Sequence, residues 1–129
     1  MSAMARILLV DDEEPLRAFL KRGLELDGHA VTTATDGGDG LDRLGEAGGA
    51  FDLLLTDIRM PMMDGIALAL AAKRDHPDLT ILLMTGFADQ RERAQGLEEV
   101  VADVLTKPFS LGDARAAVKR ALRGEGSRA

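Results

Sequence analysis

The residues best equipped for chemistry lie at the ends of apolar runs. They are Asp11 and Asp12 in "ILLVDDE", Asp57 in "LLLTDIRMPMMDG", Thr85 in "LLMTG" and Lys107 in "LTKPF". Three carboxylates, a hydroxyl and an ammonium make sense together around a cation and an anion. Carboxylates held within a few ångströms repel, and they raise one another's pKa values unless they share a positive charge. Oxygen donors of this kind suit Mg²⁺, a hard ion that keeps several waters, better than zinc or copper. The usual guest of such an ion is a phosphoryl group, whose oxygens the metal, a lysine and a hydroxyl donor neutralise together. A carboxylate oxygen can itself attack phosphorus and form an acyl phosphate. Asp57 is placed for that role, because a buried run fixes it and a loop follows it.

These groups meet only if the runs before them are parallel strands. The pattern predicts strands over residues 6–10, 30–34, 53–56, 80–84 and 103–106. "RILLV", "LLLT" and "TILLM" are apolar almost throughout, as strands covered on both faces of a parallel sheet must be. Between them Leu16, Phe19, Leu20 and Leu24 recur at helical spacing, as do Leu111, Ala114, Val118, Ala121 and Leu122. Gly28 and Pro77 punctuate helix ends. Five β-α units predict an α/β fold: a doubly wound five-stranded parallel sheet sandwiched by five helices. Its ligand site lies outside the carboxyl ends of the strands, where strand order reverses. The second strand delivers only Thr35 and Asp36 there, as a peripheral strand would. Residues 87–101 carry few apolar side chains and predict a weakly anchored fourth helix.

At 129 residues the chain is sized for one domain, with a core over about 6–123 and a Gly-Ser-rich, flexible tail over 124–129. The apolar fraction of 46% and charged fraction of 29% are those of a soluble globule. No run approaches a membrane span, and the first residues lack the apolar stretch of a signal peptide, so a cytoplasmic location is expected. Without cysteine there is no disulfide, thiolate metal site or cysteine nucleophile. The net charge of −6 argues against nucleic acid as a partner. A basic group at Arg115, Lys119, Arg120 and Arg123 reads as a solvated helix face, its cations suited to a helix C-terminus.

The four quoted segments, in that order, resemble the hallmark motifs of the receiver domains of bacterial two-component response regulators. The resemblance spans about residues 6–123 and implies a stand-alone receiver of flavodoxin-like fold with strand order 2-1-3-4-5. It implies that Asp57 accepts a phosphoryl group from a sensor histidine kinase or histidine phosphotransfer protein. Asp12 and Asp57 would ligate Mg²⁺, with Asp11 helping through water and Arg59 offering its backbone carbonyl. Thr85 would hydrogen-bond the phosphoryl group, Lys107 would pair with one of its oxygens, and Pro108 would follow a cis peptide bond. Asp64 and Gly65 would shape the turn before the third helix, glycine supplying an unusual φ.

The chain departs from the family pattern in ways that bear on mechanism. Val104 stands where many receivers carry an aromatic residue that swings as the threonine moves. Phe87 and Arg59, two residues after Thr85 and Asp57 respectively, are expected to flank the phosphoryl group and modulate its lifetime. "TDIRMPMMDG" with "TGFA" is similar to the small CpdR-type receivers, which implies docking on the ClpX unfoldase of the ClpXP protease in cell-cycle control. The output surface would be the face around the fourth helix, fifth strand and fifth helix.

Taken singly, each residue has a structural alternative. Asp11 and Asp12 could cap the following helix, Asp57 could form a turn, Thr85 could bond to backbone, and Lys107 could be a solvated strand end. Met60, Met62 and Met63 read as loop and core packing, and His29 and His76 as surface residues at helix ends. Three other functions fit in part. A phosphate shuttle or sink would show rapid return transfer to a histidine protein. A metal-dependent aspartyl-phosphate phosphatase would want a second acid two positions after Asp57, where Arg59 stands. A module that has lost phosphorylation would not bind Mg²⁺.

Overall fold

A computed structural model of the chain describes residues 5–48, 50–86, 96, 97 and 99–124. Its strands are β1 (Arg6–Val10), β2 (Ala30–Ala34), β3 (Leu53–Asp57), β4 (Thr80–Thr85) and β5 (Asp103–Thr106). Its helices, among the described residues, are α1 (Glu14–Leu26), α2 (Gly37–Glu46), α3 (Gly65–Asp75) and α4 (Leu111–Leu122). All pairings are parallel, in the order β2-β1-β3-β4-β5. The fourth helix predicted over 87–101 falls largely on residues outside those described, as do residues 125–129 of the tail.

The apolar runs divide by the two-residue period of a strand. Leu8, Val10, Leu54, Ile81 and Leu83 join Leu44 of α2 and Leu68, Ala69 and Ala72 of α3 in one buried layer. Ile7, Leu9, Leu53, Leu55, Leu82 and Met84 join Leu20 and Leu24 of α1 and Ala114, Ala117 and Val118 of α4 in the other. Each fully buried leucine or isoleucine stabilises by roughly 1.5–3 kcal/mol, so the continuous runs hold two cores at once. Gly23 lets α1 and α4 close: a Cβ there would lie 2.2 Å from Leu111 Cδ1.

Three helices begin on side-chain caps. Asp36 accepts from the Asp39 amide at 2.8 Å, Asp64 from the Ala67 amide at 2.9 Å, and Ser110 and Asp113 form a reciprocal capping box. The exception is α1, whose N-cap Glu13 makes no side-chain cap bond and whose first turn holds Pro15. Neither Asp11 nor Asp12 is therefore the N-cap of that helix.

Two expectations are corrected at the opposite end of the sheet. His29 is buried, with 7% of its surface exposed, because Nδ1 accepts the Ala5 amide at 3.2 Å where β1 and β2 begin. His76 is the half-buried C-cap of α3. The basic group on α4 is not simply solvated: Arg115 grips Asp27 with two nitrogens, the Nε bond measuring 2.9 Å, and Arg120 lies 4.0 Å from the buried Asp103. Arg115 thereby ties α4 to the C-cap of α1.

Candidate functional site

Strand order reverses between β1 and β3, so their carboxyl ends border the crevice in which such sheets hold ligands. Both β3 and β4 run one residue beyond their predicted ends, which makes Asp57 and Thr85 the last members of their strands. Asp57 pairs in register with Met84, and Thr85 with Thr106. The Lys107 amide donates to the Thr85 carbonyl at 2.7 Å. Ladder bonds thus bring Asp57, Thr85 and Lys107 to one rim. Thr85 is fully buried.

On the other side of the crevice, Asp11 is held by every polar group but one. Its amide donates to the Ala34 carbonyl at 3.2 Å, its carbonyl accepts from Arg17 Nη1 at 2.7 Å, and Oδ1 accepts from the Glu13 amide at 2.8 Å. Oδ2 is buried, with no hydrogen-bond partner among the described residues. Carboxylate oxygens of Asp11, Asp12 and Asp57 lie within 4.8 Å of one another, with Asp12 exposed and the other two buried. Burial, chiefly, pushes the Asp11 carboxyl up to about 6; the charges of Asp57 and Asp12 add to this, while the Glu13 amide and Lys107 oppose it. Burial also raises Asp57, against the pull of Lys107 and of the Arg59 and Ile58 amides.

Lys107 Nζ donates to Asp57 Oδ2 at 3.1 Å and lies 4.0 Å from Glu13 Oε1. It is therefore not a solvated strand end. The Lys107–Pro108 peptide bond is cis.

The loop after β3 corrects the expectation for Gly65. Its φ is not in the left-handed region; glycine is needed there because a Cβ would stand 2.0 Å from the Asp57 carbonyl oxygen. The left-handed residue is Met62, at φ 70°, whose side chain is fully exposed. Met60 is buried and Met63 partly so. Arg59 is exposed, Val104 packs half-buried against the α2–α3 layer, and Phe87 lies outside the described residues. Sequence reasoning missed Glu13 and Arg17. Their signal was position alone, Glu13 directly after the two aspartates and Arg17 one helical turn further on.

The donor set fits a hard divalent cation. An orphaned, buried carboxylate oxygen beside two further carboxylates is a site that a cation would satisfy, and oxygen donors are what Mg²⁺ takes. Among the described residues no helix is long and apolar enough to cross a membrane.

The sequence profile of the response regulator receiver domain matches residues 7–119. The response regulator receiver protein CpdR of Brucella abortus (strain 2308) is 46% identical over 110 residues, covering 85% of this chain and 90% of that protein. The transcriptional regulatory protein PrrA of Mycobacterium tuberculosis is 37% identical over 124 residues. That match covers 96% of this chain but 52% of PrrA, so the chain spans about half of that relative. Among solved structures, a response regulator receiver domain protein from Clostridium thermocellum superposes with a TM-score of 0.85 at 29% identity, covering 93% of this chain and 95% of that one. With its sheet order, its acid rim and these relatives in agreement, the chain belongs to the response regulator receiver domain family.

Proposed function

We propose that this chain is a phospho-accepting switch of a two-component phosphorelay, in which Asp57 takes a phosphoryl group from a sensor histidine kinase or histidine phosphotransfer protein. The observation that carries this reading is the 3.1 Å pairing of Lys107 with Asp57 on a rim shared with two more carboxylates, one oxygen of which is buried and unpaired. Asp57 oxygen attacks phosphorus, the P–N bond to the donor imidazole breaks, and its electron pair returns to the ring nitrogen, which takes a proton from water. Asp12 and Asp57 would hold Mg²⁺ directly, Asp11 through water, and Arg59 through its backbone carbonyl. Bound there, the ion supplies charge neutralisation to the phosphoryl oxygens.

This chain's own residues do the rest. Burial keeps Asp57 in one orientation, and Lys107 holds that orientation before transfer and pairs with a phosphoryl oxygen after it. The new group adds charge of about −1.5 to −2 to a buried rim. Thr85 answers by hydrogen-bonding it, and the resulting shift in population alters the β5–α4 face. Val104 leaves that response without an aromatic partner. Arg59 and Phe87 modulate the lifetime of the phosphoryl group.

The phosphodonor docks over the first turns of α1, because that helix starts at the acid loop and leaves Pro15, Ala18 and Phe19 exposed. Downstream, the partner is the ClpX unfoldase. The similarity to CpdR supports that choice, since it extends over nine-tenths of that protein. The setting is the cytoplasm, and the chain acts on no substrate other than its own phosphoryl group. Label carried on a histidine phosphotransfer protein should appear on this chain and not on its Asp57→Asn variant. Equal labelling of the two would refute the assignment.

A further inference from the structure

We propose that Arg17 is a positioning residue for the cation site, holding Asp11 and Asp12 in the orientation that binds Mg²⁺. This rests on the metal reading above. Arg17 lies in the first turns of α1, its amide bonded to the Glu13 carbonyl at 3.0 Å. Its side chain is only 15% exposed, which is unusual for arginine without a strong carboxylate partner. Among the described residues the carboxylate paired with it is that of Glu14, 4.0 Å away and 88% exposed, a weak pair. Its close contact is instead the 2.7 Å bond from Nη1 to the Asp11 carbonyl, a charge-assisted bond in a partly covered setting.

That carbonyl matters because a peptide unit is rigid. The oxygen of Asp11 shares a plane with the nitrogen and Cα of Asp12, so fixing the oxygen fixes the direction in which Asp12 leaves the loop. Asp12 is the exposed member of the triad and needs such support most. The same bond completes the hold on Asp11: amide, carbonyl and Oδ1 are all engaged, and only Oδ2 is left for a ligand. Lys107, by contrast, is a cation whose field acts on the Asp11 carboxyl itself.

Two roles for a cation beside three acids predict opposite signs. If Arg17 only neutralised the acids, removing it would strengthen Mg²⁺ binding. If it positions them, removing it weakens binding although a positive charge has been lost. The experiment is a calorimetric Mg²⁺ titration of the unphosphorylated protein, comparing wild type with Arg17→Met, which keeps the stem, and Arg17→Lys, which keeps one charged donor. Loss of a supporting bond around a metal site costs roughly 10–100-fold in affinity. We expect about tenfold weaker binding in Arg17→Met, an intermediate value in Arg17→Lys, and a raised Mg²⁺ requirement for phosphorylation with the rate at saturating Mg²⁺ retained. Thermal unfolding without Mg²⁺ checks that each variant is folded. If Arg17→Met does not fold, wild-type affinity in the folded Arg17→Lys variant overturns the proposal, as does equal or tighter binding in a folded Arg17→Met. Absence of Mg²⁺ binding in the wild type would overturn the metal reading itself, and this proposal with it.

Discussion

Asp11 is a single buried carboxyl whose ionisation costs stability. Its pKa is raised from 3.8 to about 6, so the native protein binds this proton more tightly than the unfolded chain does. The contribution is therefore present below about pH 4 and is lost as pH rises through about 6. At 1.36 kcal/mol per unit, the cost of ionising Asp11 at neutral pH is about 3 kcal/mol as an upper figure. We expect Asp11→Asn to stabilise the Mg²⁺-free protein by roughly 1–3 kcal/mol at pH 7 and by little at pH 4, read from denaturant unfolding at both values. At this scale Asp57, Thr85 and Lys107 were legible because each ends an apolar run, and strand geometry puts such residues on one rim. Glu13 and Arg17 were not, since a charged residue in the first turn of a helix reads as solvated until the fold turns it back onto the loop. His29 was misjudged for a similar reason: its ring fills a gap between two strand ends that lie far apart in sequence.

Among the elements, the tightest tolerance is between the end of β3 and the start of α3. A methyl group on Gly65 would overlap the Asp57 carbonyl, so Gly65→Ala must move either the helix or the end of β3 that carries Asp57. We expect a loss of roughly 1–3 kcal/mol, together with slower phosphorylation. Chemical denaturation and a phosphodonor time course measure the two effects separately. The tie between α1 and α4 has its own signature. Hydrogen bonds from Arg115, chiefly, hold the Asp27 carboxyl below its usual range, so its contribution is present above about pH 4 and lost as pH falls through the depressed value. Arg115→Met should be less stable than wild type at pH 7, with the gap narrowing below pH 4 in an acid titration of stability. Strand limits were legible to within a residue because apolar runs mark them. The conformation of Gly65 was not, because an Asp-Gly pair does not say whether glycine serves φ or clearance.

The whole molecule places one chemical rim beside one exposed helix face, and the two can be tested apart. Phe19 is 48% exposed on α1. Phe19→Ala should slow transfer from a histidine phosphotransfer protein by tenfold or more, while leaving phosphorylation by a small phosphodonor unchanged. Equal slowing with both donors would place Phe19 in the fold rather than the interface. Two-sided burial and the converging rim were legible at this scale because a parallel sheet imposes them on any chain with these runs, whereas the strand order followed only from the resemblance of the four motifs to receiver domains. The proposed switch stands on Asp57 as phosphoacceptor. Its most direct test is the intact mass of the protein after incubation with acetyl phosphate and Mg²⁺, beside its Asp57→Asn variant. We predict one phosphoryl adduct that requires Mg²⁺ and is absent from the variant; an unmodified wild type, or an adduct that survives in Asp57→Asn, would contradict the account.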